Sequence, residues 1–124
     1  SMLNKLKSGS FKYWLPVAFC AGLIFYSSSL PGTSIPRLFL FQDILFHFFI
    51  YSILGLLFSR AFKESFPDIR GIKIIIFTFI FTFFYGISDE FHQYFVPNRN
   101  VSFFDVFVDG LGGLSGAWFR RWLK

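Results

Sequence analysis

The sequence predicts an all-α polytopic membrane protein: a single domain, residues 1–124, of four transmembrane helices packed as a bundle, with N- and C-termini cytoplasmic. Three observations lead there. Hydrophobic residues make up 54% of the chain and charged residues 15%, with 22 Phe, more apolar surface than a water-soluble domain of this size can hide in one core. Four apolar stretches approach the roughly 20 residues a helix needs to cross a hydrocarbon layer of about 30 Å. The cations, finally, are divided very unequally among the connections that those stretches define.

The first span runs from about Phe11 to Ser28 and stops at Ser29-Leu30-Pro31-Gly32, a turn signal. It has no small-residue cleavage site, which makes it a retained span and not a signal peptide. Ser1-Met2 resembles the scar of a removed tag and carries no weight. The second span covers about Phe41 to Phe58, and the polar connection Arg60 to Gly71, with Pro67, follows it. The third covers Ile72 to Phe91. A turn-rich stretch, Val96-Pro97-Asn98-Arg99-Asn100, then leads to the fourth, Phe103 to Trp122. No run alternates polar and apolar residues at period two, so strands are not expected.

Four spans place the N-terminus, the middle connection and the C-terminus on one side. That side holds Lys5, Lys7, Lys12, Arg60, Lys63, Arg70, Lys73, Arg120, Arg121 and Lys124; the other holds Arg37 and Arg99. Ten cations against two is a strong positive-inside asymmetry. The formal charge of +5 is therefore read as membrane orientation, with no nucleic-acid partner. Trp14, Trp118 and Trp122 fall where interfacial anchors belong. Cys20 is the single cysteine, so no intrachain disulfide can form.

The acids behave differently. Glu64 and Asp68 sit in the cytoplasmic connection, but Asp43, Asp89, Glu90, Asp105 and Asp109 fall in or beside the extracytoplasmic halves of spans two to four, with His47 and His92. An ionisable group near the centre of a membrane helix costs about 2.5–3.5 kcal/mol on insertion scales, so such groups face a protein interior or a wet cavity. Seven at one depth predict a polar pocket open to the outside. Span two aligns Asp43, His47 and Tyr51 on one face; span three aligns Gly86, Glu90 and Gln93, with Asp89 beside them and His92 further round; span four aligns Asp105, Asp109, Gly112 and Gly116. Arg99 lies on the connecting loop above.

Blander roles compete for several of these. Asp105 follows Ser102 by three residues and suits a helix start; Asp43 also stands near a helix start. Asp109 is too deep for that and reads as a site residue or a buried partner of Arg99. The Gly112/Gly116 pair reads as helix packing, and the Phe-rich faces as lipid contact. Acid–base chemistry is the leading expectation, since a crowded acidic pocket readily separates the proton affinities of two groups. The cofactor is unknown. Zinc would accept His47, His92 and nearby carboxylates, but no HxxH or HExxH pair is present, so a divalent metal is the secondary option. Ser88 and Ser102 lack a nucleophile elbow.

The ordered set Asp43-xxx-His47-xxx-Tyr51, Tyr85-Gly86-Ile87-Ser88-Asp89-Glu90-Phe91-His92-Gln93, Val96-Pro97-Asn98-Arg99 and Ser102-xx-Asp105-xxx-Asp109-xx-Gly112-xxx-Gly116 resembles the VanZ-like family of small bacterial membrane proteins. The resemblance covers Asp43 to Gly116 and implies that His47, Glu90, Gln93, Arg99, Asp105 and Asp109 form the shared polar set, with Asp89 and His92 typical of one branch. Two departures stand out: Ile44 occupies a position where relatives often carry Lys, and Asn98 one where they often carry Gly. Asn also tolerates the left-handed turn conformation. The family is named for a protein linked to teicoplanin resistance, so the resemblance implies a role at the outer face of the bacterial cytoplasmic membrane. The expected partners are membrane lipids, with an anionic lipid or lipid-linked envelope precursor bound or modified in the pocket. The alternatives are a non-catalytic module whose polar network locks the helices, and a small transporter.

Overall fold

The computed structural model describes residues 9–31, 38, 41–99 and 102–123. Four α-helices and no strands occur among them: α1 Phe11–Ser28, α2 Gln42–Ser65, α3 Ile72–Gln93 and α4 Phe103–Arg120. Of the residues used in the charge count, Lys5, Lys7, Arg37 and Lys124 lie outside the described residues, as do Ser1, Met2, Gly32 and Asn100. Among the described residues, two helices, α2 and α3, are long and apolar enough to cross a membrane.

The helix limits correct the sequence reading at one place. The second helix does not end near Phe58 but runs on to Ser65, taking in Arg60, Lys63 and Glu64. Arg, Lys and Glu are good helix formers, and nothing stops the helix until Pro67 forbids the helical conformation at Phe66, which turns out with φ −130° and ψ 74°. The connection to α3 is therefore short and closes on Gly71, whose φ of +64° suits a residue without Cβ. Asn98 likewise takes a left-handed conformation, with φ 61°. At the start of α4, Ser102 caps the helix by accepting from the Phe104 amide at 3.2 Å.

The distribution of side chains is the reverse of a water-soluble bundle. Phe19, Phe49, Phe84, Phe91 and Phe103 are largely exposed, whereas His47, Asp89, Glu90, Gln93, Asp109, Thr78 and Thr82 are buried. An apolar cluster survives at the seam of α1 and α2, where Val17, Cys20 and Ile24 meet Tyr51, Leu54, Phe58 and Ala61. Phe58 stacks on Phe81 of α3 at 4.3 Å and receives the edge of Trp14 at 5.5 Å. Trp14 is half-buried and its indole N–H donates to Ser65 Oγ at 2.7 Å, so it ties α1 to the end of α2. Trp118 and Trp122 remain exposed.

Glycine sets how closely the helices approach. α4 lies between α2 and α3, with Gly116 against the Ser52 carbonyl, Gly113 against Thr82, and Gly55 of α2 against the Gly113 backbone. A Cβ on Gly112 would come within 2.7 Å of the Phe48 carbonyl. These contacts hold α4 in register so that its first two turns face α2 and α3. Replacing Gly116 with Val must push α2 and α4 apart; the expected loss is about 3 kcal/mol, read as a lower thermal melting temperature of the detergent-solubilised protein.

Candidate functional site

At one end of the bundle, the first turns of α2, the last turns of α3 and the first turns of α4 bring their polar side chains together. Asp109 is fully buried, and its Oδ1 accepts from His47 Nδ1 at 2.7 Å, linking α4 to α2. Gly86 of α3 makes room for this carboxylate: a Cβ there would stand 2.7 Å from Asp109 Oδ2. The Tyr51 ring lies parallel to the imidazole one turn below, 6.2 Å away, and its hydroxyl donates a long 3.4 Å bond to Asp89 Oδ2. Glu90 Oε2 accepts from the Ser102 backbone N–H at 3.0 Å. A carboxylate of α3 thus takes an amide hydrogen at the start of α4 that a capping box would have satisfied from within the helix.

That bond changes the standing of Asp105. Ser102 does the capping and Glu90 takes its amide, so no capping bond of Asp105 occurs among the described residues. Its half-buried carboxylate instead converges with His47 and Glu90: one ligand atom from each of the three lies within 4.8 Å of the others. His47, Asp89 and Asp109 meet the same condition. Two carboxylate oxygens of this centre, Glu90 Oε1 and Asp109 Oδ2, are buried with no hydrogen-bond partner among the described residues.

The structure therefore brings His47, Glu90, Asp105 and Asp109 together, with Tyr51 and Asp89 adjoining. Gln93 is buried on the last turn of α3. Asp43 lies exposed on the first turn of α2. His92 goes elsewhere: it stacks on Phe25 of α1 at 4.4 Å and shares a 2.8 Å bond with Ser29 Oγ. Two helical steps from Glu90 place it around the helix from the centre, and among the described residues no candidate metal-binding group includes His92. Of the two readings of Asp109, site residue or buried partner of Arg99, the pair with Arg99 does not occur among the described residues, and Asp109 meets His47 instead. Arg99 is close enough for Coulombic attraction to Asp89 and Asp105 but makes no ion pair with them among the described residues. The Ser88 hydroxyl is turned to the Tyr85 carbonyl at 2.7 Å, and that of Ser102 is spent on its cap. Sequence reasoning missed α1: Ser28 is buried with its hydroxyl close to the Asp89 carboxylate, and Tyr85 Oη donates to the Ala21 carbonyl at 2.5 Å. The run Ser27-Ser28-Ser29 at the end of an apolar span was the available signal.

Chemically, the pair at the centre is a polarised imidazole. A carboxylate accepting from Nδ1–H fixes the tautomer and leaves the Nε2 lone pair open, able to take a proton or to ligate a cation. Four carboxyl groups around one imidazole make the surroundings strongly electronegative.

The fold is an apolar, phenylalanine-faced helical bundle, two of its described helices apolar enough to cross a membrane, with polar side chains gathered at one end. Residues 11–124 match the family model described as VanZ/LLP1, nearly the whole chain, and the protein belongs to that family. No curated protein and no solved structure matches it.

Because His47 and Asp109 are buried together, removing either strands the other. Asp109→Ala is expected to cost about 3–5 kcal/mol, measured as a fall in thermal stability well beyond that of Asp43→Ala at the exposed start of α2.

Proposed function

We propose that this VanZ/LLP1 protein crosses the bacterial cytoplasmic membrane four times with both termini inside, and that its polar centre opens outward to bind the anionic headgroup of a membrane lipid or lipid-linked envelope precursor. The observation that carries this is the convergence of His47, Glu90, Asp105 and Asp109 at the end of the bundle opposite Lys63, Lys73 and Arg120. Lys63 lies at the far end of α2, Lys73 at the start of α3 and Arg120 at the end of α4, which suits an inside–outside polarity. The 18 residues of α1 and of α4 extend about 27 Å at 1.5 Å per residue, close to the thickness to be crossed. A groove of about 630 Å³ on the α2–α4 seam, between Phe48 and Phe49 at one end and Trp118 and Phe119 at the other, offers apolar lining for a lipid chain below such a headgroup. Arg99 supplies the guanidinium that a phosphate or carboxylate would engage. A link to glycopeptide resistance, as in the protein that gave the family its name, agrees with an outward-facing envelope role.

Topology is tested by fusions: a C-terminal fluorescent protein should fluoresce and a C-terminal alkaline phosphatase should stay inactive. Binding is tested by native mass spectrometry of the purified protein with phosphatidylglycerol, polyprenyl phosphate and phosphatidylcholine. The anionic lipids should be retained preferentially, and Arg99→Ala should weaken them about tenfold, the effect of one charge-assisted hydrogen bond, with little change in melting temperature.

A second reading is favoured by the complete burial of Asp109 and its short bond to His47: the network is a lock between helices, and the protein acts through partners. Glu90→Gln separates the two. A lock loses much of its thermal stability, whereas a binding site keeps its fold and changes its lipid preference.

A further inference from the structure

We propose that His47, Glu90 and Asp105 form a binding site for a divalent transition-metal cation such as Zn²⁺ or Mn²⁺. Three residues from three helices bring a ring nitrogen and two carboxylate oxygens within 4.8 Å of one another. Three ligands at about 2.0–2.2 Å around one cation stand roughly 3.4–3.8 Å apart, so atoms within 4.8 Å of one another reach a common ion by side-chain adjustments of at most about 1.4 Å. One nitrogen and two carboxylates is also a ligand mixture that first-row divalent ions accept.

A second, separate observation points to the same ligand. Glu90 is about 95% buried, and its Oε1 has no hydrogen-bond partner among the described residues, although its Oε2 holds the Ser102 amide. A buried carboxylate oxygen without a donor is costly, and a cation removes that cost. The geometry of His47 adds a third indication. Metal-bound histidines characteristically donate their other ring N–H to a carboxylate, which orients the ring and strengthens the ligand. Asp109 is that carboxylate, 2.7 Å from Nδ1, and the nitrogen left for a cation is Nε2. His92, held by Phe25 and Ser29, plays no part.

The cation deepens the headgroup reading without depending on it for its existence. Four carboxyls around one imidazole repel an anion, and Arg99 alone is a weak counterweight. A divalent ion in their midst turns the centre into a phosphate- or carboxylate-binding site, and in this use alone the inference rests on that reading.

The experiment uses the full chain in detergent, stripped with chelator and titrated with Zn²⁺ alone and Mn²⁺ alone, with retained metal measured by mass spectrometry and affinity by calorimetry. The wild type should retain about one equivalent of at least one ion and melt at a higher temperature with it. Asp105→Asn and Glu90→Gln should each lower affinity at least about tenfold, and Asp109→Asn by about 10–100-fold through loss of ring orientation. His92→Gln should bind as the wild type does. X-ray absorption on the bound ion should show nitrogen and oxygen neighbours at about 2.0–2.2 Å. Asp105 is half-buried, so Asp105→Asn decides the matter if Glu90→Gln fails to fold. A folded wild type that retains no stoichiometric metal overturns the proposal, as does binding unchanged in Asp105→Asn. Metal binding without preference for anionic lipid would overturn the headgroup reading alone; lipid preference without metal would overturn the cation alone.

Discussion

The bond between His47 Nδ1 and Asp109 Oδ1 is the interaction on which the polar end of the bundle depends. Each group would be expensive in an apolar interior by itself. Together they hold α2 to α4 through a buried, charge-assisted contact. The pair can exist only because α3 presents Gly86 where any side chain would collide with the Asp109 carboxylate, and because Gly112 lets α4 ride against the Phe48 carbonyl of α2. Sequence spacing therefore matters twice: once to put the acid and the imidazole on facing turns, and once to leave bare backbone opposite them.

Along the rest of the bundle the same logic operates with weaker groups. Between helices surrounded by hydrocarbon, apolar side chains gain little by touching each other instead of lipid, and association rests on close packing and interhelical polar contacts. That is how the interior is furnished: Gly55 and Gly116 meet backbone, Gly113 meets Thr82, Trp14 reaches Ser65, and Tyr85 reaches the Ala21 carbonyl. Thr78 and Thr82 return their hydroxyls to their own helix, so they add small volume without stray polar atoms. Large apolar side chains are left for the exterior, where Phe, Ile and Leu dominate.

Hydropathy made the four helices legible, and the limits of α1 coincide with the sequence reading because Ser29 and Pro31 end it. The limits of α2 did not follow, since apolar content falls at Arg60 while helical propensity continues to Pro67. Faces were legible too. Steps of three and four put His47 beside Tyr51, Asp105 beside Asp109, and Gly86 beside Glu90 on their own helices. Partners were not. A helical stripe says which residues share a direction, but the rotation of one helix against another decides what lies opposite. Asp109 could have met Arg99 from the loop above or His47 from across the bundle; the glycine-lined seam of α2 and α4 decides for His47. His92 illustrates the reverse error. It shares its depth with the centre but lies further round α3, where α1 supplies Phe25 and Ser29.

Whether such a centre is a lock or a site turns on how it treats its own hydrogen-bonding capacity. A network selected only to join helices gains most when every buried atom is satisfied, since an unpaired one costs more than an apolar replacement would. Here the joining bonds are few, and Glu90 and Asp109 each keep one buried carboxylate oxygen unpartnered among the described residues. Asp105 adds a third carboxyl where a structural network would be served better by an amide or a hydroxyl able to donate. Acceptors outnumber donors, and they outnumber them around one imidazole nitrogen. An arrangement short of donors in this way is completed by a proton or by another cation.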